Sequence, residues 1–140
     1  MSPPRLAIDN LSVRIGSIDA VRDVSLSIAP GQIFGVAGES GSGKSMTALA
    51  VMGLLPDGAH RGGAAQLDGE DLFALDEGAM CGVRGRRIGM IFQEPMTALN
   101  PVRTIGAQVA ETLVIHPGTS LSEAREIAAA KLDRVGIPAA

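Results

Sequence analysis

The 140-residue sequence has no tryptophan, no tyrosine and only three phenylalanines. So few rings argue against a base-stacking platform of the kind that holds single-stranded nucleic acid. A single cysteine, Cys81, excludes an intramolecular disulfide and a cysteine zinc site, and fits a reducing compartment with the thiol in a structural role. Lysine occurs twice, as Lys44 and Lys131. With 12 Lys and Arg against 15 Asp and Glu, the formal charge is −3, which argues against a nucleic-acid partner. The small basic cluster of Arg84, Arg86 and Arg87 reads as a solvated loop, and His60 and His116 read as surface and loop residues. The segment Met1–Arg5 carries no apolar signal core, and no run approaches the roughly 18 apolar residues needed to span a bilayer. The expected location is the cytoplasm, with any membrane attachment provided by partners.

Glycine, in contrast, is plentiful at 18 residues, and its placement carries the chemistry. Gly38-Glu39-Ser40-Gly41-Ser42-Gly43-Lys44-Ser45 has the pattern G-x-x-x-x-G-K-S. Without a Cβ, Gly38, Gly41 and Gly43 let successive N–H groups converge on one concave nest. The nest opens at a helix N-terminus, where unpaired N–H groups and the helix dipole favour an anion. Lys44 is placed to reach the β- and γ-phosphates of a nucleotide, and the Ser45 hydroxyl to ligate Mg²⁺. The flanks agree with the motif. Gln32–Ala37 (QIFGVA) predicts a buried parallel strand, and Met46–Leu55 (MTALAVMGLL) a buried helix.

Elsewhere, Leu6, Ile8, Leu11 and Val13 approximate strand alternation, and Val24, Leu26 and Ile28 alternate strictly with serines. Both predict half-buried antiparallel strands. Ala65–Asp68 predicts another short strand and Asp71–Met80 a short helix, while Arg87–Phe92 (RIGMIF) predicts a second buried strand. Beyond the turn at Leu99-Asn100-Pro101, Thr104 or its neighbour caps a helix through about Ile115, stopped by His116-Pro117-Gly118. Ser120 or Ser122 caps a second helix, with an amphipathic face through Ala124, Ile127, Ala128 and Leu132, and Gly136 ends it.

A second motif sits at the exit of the Arg87–Phe92 run, in Phe92-Gln93-Glu94-Pro95-Met96-Thr97-Ala98-Leu99-Asn100-Pro101. Gln93 there can ligate Mg²⁺ or orient water through its carbonyl oxygen; alone, a polar residue at a strand end is as often a cap. With the glycine loop it makes the chain resemble the ATP-binding subunits of ABC transporters, most closely the oligopeptide, dipeptide and nickel importer branch. Gly35–Ser45 is similar to that branch's Walker A segment, Phe92–Pro101 to its Q-loop, and Val135-Gly136-Ile137-Pro138 to its helical subdomain. The resemblance implies an α/β P-loop NTPase core of ABC type, incomplete here, with N-terminal antiparallel strands and the start of an α-helical subdomain. It implies core residues 1–100 and helical residues 101–140. It implies Mg²⁺ and ATP on Gly38 to Ser45, with Ser45 and Gln93 at the metal and Gln93 as γ-phosphate sensor. Permease subunits, a second ATP-binding subunit and, indirectly, an extracytoplasmic solute-binding protein are the implied partners, at the inner face of the membrane.

Two departures qualify the resemblance. Where the family places an aromatic that stacks on adenine, just before Gly16, this sequence has Ile15, with a loss of about 0.5–1.5 kcal/mol of aromatic interaction and weaker base selectivity. No LSGGQ-type signature, Walker B strand or switch histidine occurs among the 140 residues. Phosphoryl transfer depends on positioned water, metal and charge stabilisation, so these residues are expected to bind Mg-ATP but to hydrolyse it poorly or not at all. The alternatives are a non-catalytic fragment that only docks on a transmembrane partner, and a different P-loop enzyme such as a small-molecule kinase. The Q-loop segment argues against the kinase.

Overall fold

A computed structural model describes residues 3–93, 99–116 and 118–137. The chain divides into two compact units, Met1–Cys81 and Gly82–Ala140. Strands β1 (Leu6–Ile15), β2 (Ile18–Ile28), β3 (Ala59–Leu67) and β4 (Glu70–Asp71) form an antiparallel sheet of order β2-β1-β3-β4 in the first unit. Helix α1 (Lys44–Val51) packs on β1 and β2.

The imperfect alternation of β1 has a local cause. Ile8 and Leu11 are both buried although three residues apart, and the register slips between them. Asn10 absorbs the slip with φ 49, a left-handed conformation that asparagine tolerates. Its side-chain amide donates to Asp23 Oδ1, and its own N–H to Ser25 Oγ at 2.9 Å. Gly63 faces the slip from β3 with φ +86, where an added Cβ would stand 2.5 Å from the Asn10 carbonyl oxygen. Beyond the bulge, Leu11 and Val13 return to the buried face with Val21, Ala65 and Leu67, where Ala50, Val51 and Met52 from the end of α1 are also buried. Each fully buried Leu or Val contributes about 1.5–3 kcal/mol relative to exposure, so this face is the main source of cohesion in the unit.

The two predicted buried strands are not strands. Residues 32–37 and 89–92 have no strand partner among the described residues, and Ile33 is 99% and Ile91 95% exposed. A strand exists only through hydrogen bonds to a neighbour, and the antiparallel sheet of the first unit, of order β2-β1-β3-β4, does not include residues 32–37. Arg84 and Ile88 form an isolated parallel bridge. The helix predicted over Met46–Leu55 is shorter, because Gly53 turns left-handed (φ 64) after the cap at Met52.

Helix α2 (Glu77–Val83) crosses the boundary between the units. The second unit is built around α3 (Ile105–Ile115) and α4 (Leu121–Arg134). Both predicted caps form: Thr104 Oγ1 accepts from Ala107 N and Ser120 Oγ from Glu123 N, each at 3.3 Å. Ala110, Ala124 and Ala128 are buried between the helices, with Val109 and Leu113 against them. Small side chains at the contact let the two helices approach closely. Gly136 takes φ 81 and ends α4 as expected, while Pro117 and Pro138 lie outside the described residues.

Candidate functional site: a glycine loop closed on a lysine

The loop of residues 38–43 reaches α1 through Gly43, the N-cap of the helix, at φ 89. An added Cβ there would lie 2.6 Å from the carbonyl oxygen of Ala20 and 3.2 Å from Val21 Cγ2. The contact exists because β2 is bulged: Val13 pairs with Val21 and Arg14 with Asp19, leaving Ala20 without a register partner and its carbonyl against the loop. Only glycine satisfies both the dihedral and the approach.

No side chain caps α1 and no acidic residue lies in its first turn. The positive end of the helix is therefore left for an external anion. Lys44, half-buried as the first residue of α1, turns its ammonium back into the loop. Nζ donates to Gly38 O at 2.8 Å, Glu39 O at 2.7 Å and Ser42 Oγ at 3.2 Å. A Cβ on Gly38 would meet Ser42 Oγ at 2.7 Å, so the hollow around the ammonium admits no side chain at that position. Glu39, Ser40 and Gly41 form the exposed rim, closed by Ser42 N–H donating to Glu39 O at 3.2 Å. The Ser45 hydroxyl is exposed and makes no hydrogen bond among the described residues. The loop thus holds one ammonium, on neutral acceptors, at the uncapped start of a helix.

Ile15 ends β1 and pairs with Ile18 across the turn at Gly16 and Ser17. Both isoleucines share the face of Val13 and Val21, the face that carries Gly43. Gln93 belongs to the second unit and is exposed; residues 94–98 of the same motif lie outside the described residues. The motif continues at Asn100, where Gln108 of α3 acts as a tie that sequence reading missed. Its Oε1 accepts from Asn100 N at 2.8 Å, and its Nε2 donates to Asn100 O and Arg103 O, both at 3.0 Å. No cluster of three or more His, Cys, Asp or Glu side chains able to hold a metal occurs among the described residues.

Comparison with known proteins matches residues 21–139 to the family described as ABC transporter. The chain belongs to the ABC transporter family. A Brucella abortus protein named as a peptide import ATP-binding protein is 52% identical over 132 residues, covering 89% of this chain and 39% of that protein. A Brucella suis protein of the same description is 46% identical over 140 residues, covering 96% of this chain and 42% of the relative. Among solved structures, the ABC chain superposes with TM-score 0.74 and 27% identity on the dimeric ATP-binding cassette MJ0796, bound to ADP and phosphate in a post-hydrolysis state, over 91% of this chain and 56% of that one. The ABC chain thus spans about two-fifths of the length of the curated relatives it matches. Its fold is the α/β ABC ATPase fold in part, with the antiparallel sheet and the helical hairpin both present. Among the described residues, no helix is long and apolar enough to cross a membrane.

Proposed function

We infer that residues 1–140 are the ATP-binding part of an importer subunit that energises uptake of peptides or related small solutes. The observation that carries the reading is the ammonium of Lys44, ringed by Gly38 O, Glu39 O and Ser42 Oγ at the uncapped start of α1. A triphosphate entering the loop exchanges those neutral acceptors for anionic oxygens, which hold an ammonium roughly twice as strongly. Gly41 and Gly43 keep the backbone N–H groups clear, and Ser45 offers its hydroxyl to a Mg²⁺ that accompanies the phosphates. When bound, that ion neutralises phosphate charge and orients the transferred group. Gln93 is the proposed second metal contact and γ-phosphate sensor, a role that rests on the Q-loop resemblance. The core at 1–100 and the helical segment at 101–140 are proposed as functional divisions.

Exposed Val114, Ile115 and Leu121 on the helical hairpin support docking on a permease subunit, and with it a peripheral place on the inner membrane face. They border a cleft of about 400 Å³ between α3 and α4. A second ATP-binding subunit is the proposed companion, with a solute-binding protein acting outside the membrane. The 140 residues contain no Walker B aspartate or catalytic glutamate, so we expect Mg-ATP binding with negligible turnover. Isothermal titration with Mg-ATP tests the reading. Wild type should bind in the micromolar range. Lys44→Ala should lose about ten- to a hundredfold or more, since a hydrogen bond to a charged group contributes about 1.5–3 kcal/mol. Equal binding by the variant would remove the phosphate-loop assignment.

A further inference from the structure

We propose that the solvent face of the β1–β3 pair carries a second anion site, which takes a terminal phosphate group and stands apart from the phosphate loop. Val13 and Val21 are buried on the side of Gly43, so Ser12 and Arg14, which flank Val13 in the alternation, are exposed on the other side of the sheet. Ser12 pairs with Gly62 and Arg14 with His60. Gly62 has no side chain, and a Cβ built on it would meet nothing within 4 Å. That gap in the row leaves a shallow dish of about 240 Å³, whose lining includes Ser12, Arg14, Asp19, His60 and Gly62. At roughly 30 Å³ for a water-sized group, it has room for about eight non-hydrogen atoms, the size of a phosphate with a short substituent or of a diphosphate.

The donors around the dish suit an oxyanion. Arg14 Nε donates to Asp19 Oδ1 at 2.6 Å, which pins the guanidinium and leaves both terminal nitrogens without a partner among the described residues. Those two nitrogens form the fork that grips phosphate oxygens in pairs. The carboxylate that pins Arg14 also lies 4.0 Å from Arg22 Nε, so two positive charges attend one negative. Asp23, the other acidic side chain beside Ser12, is turned onto the Asn10 amide. Ser12 Oγ accepts from Asp23 N at 3.3 Å, and its own proton is left to donate. His60 completes the set. Its imidazole has no hydrogen-bond or ion-pair partner among the described residues, and cross-strand pairing places its Cβ about 4.5–5.5 Å from that of Arg14. The chain as a whole carries −3, so the positive excess here is local.

Because the glycine loop also attracts phosphates, the test is run on Lys44→Ala and read at the dish itself, through the His60 imidazole and the Gly62 amide in NMR titrations with pyrophosphate. Both signals should move together and saturate. Arg14→Lys keeps the charge but loses the fork, and should weaken binding about three- to tenfold. Gly62→Val fills the dish without touching any charge, at a position that has room for the side chain and is not left-handed. It should fold normally and weaken binding about tenfold or more. Phosphatidylcholine vesicles containing phosphatidic acid present the same terminal phosphate on a membrane. Co-sedimentation with them that Gly62→Val abolishes would assign the site to a lipid headgroup, whereas pyrophosphate binding without co-sedimentation would assign it to a soluble phosphate. Pyrophosphate binding unchanged in Arg14→Lys or in Gly62→Val, or no response at His60 and Gly62 to either probe, would overturn the site.

Discussion

Two glycines of the loop, Gly41 and Gly43, allow the geometry to be tested by a single matched pair of alanine variants. Gly41 has φ +83 and Gly43 φ +89, so a Cβ meets the same backbone penalty at each. Left-handed residues with a Cβ cost about 1–2 kcal/mol. Around Gly41 nothing lies within 4 Å, and Gly41→Ala should cost about that and no more. At Gly43 the new methyl would stand 2.6 Å from the Ala20 carbonyl oxygen, well inside contact distance, and the obstacle is backbone in a paired strand. Either the loop lifts from β2 or the bulge flattens, which adds about 1–3 kcal/mol by analogy with overpacking a core. Gly43→Ala should therefore be destabilised by about 2–5 kcal/mol in urea unfolding, against about 1–2 kcal/mol for Gly41→Ala. Equal destabilisation would refute the contact between loop and bulge. So would a Gly43→Ala variant that keeps both stability and Mg-ATP affinity.

Other consequences can be checked one at a time. Gly63→Ala should be as damaging as Gly43→Ala, because its Cβ would stand 2.5 Å from Asn10 O at φ +86; a stability loss under about 1 kcal/mol in the same unfolding assay would contradict this. Thr104→Ala and Ser120→Ala should each cost about 1 kcal/mol by removing the N-caps of α3 and α4, read by helical ellipticity during urea titration. The hydrogen bond from Arg14, more than its charge, holds the Asp19 carboxyl below the ordinary carboxylate range. A depressed folded value means that its stabilisation is complete above the ordinary carboxylate pKa and is lost as pH falls through the lowered one. Carboxyl NMR titration should show Asp19 moving back up in Arg14→Gln, and an unmoved midpoint would exclude the pairing as the cause.

Legibility differed between local and non-local features. Helices α3 and α4, their caps and the glycine stop at Gly136 were readable because each is specified by residues within a few positions of one another. The glycine loop was readable for the same reason. Gln32–Ala37 and Arg87–Phe92 have strand-like composition, but hydrophobicity names only a preference for burial, and pairing requires a neighbour that local sequence cannot specify. Gln108 escaped notice because it lies eight residues from Asn100, with nothing in its own surroundings to mark it. The Ala20 bulge escaped for a related reason. An extra residue in one strand becomes visible only when the partner register is known.

That bulge also sorts charge. Were β2 regular beyond Val21, Arg14 would face Ala20 and Ile15 would face Asp19, because side chains alternate between the two sides of a strand. The Asp19 carboxylate would then stand beside the phosphate loop and repel any anion approaching it. The single extra residue sends that carboxylate to the far side of the sheet, onto Arg14 at 2.6 Å, and leaves the side facing the loop free of negative charge at the Ile15–Ile18 pair. Shifting β2 by one residue would place a negative charge at the entrance without altering a single residue of the loop itself.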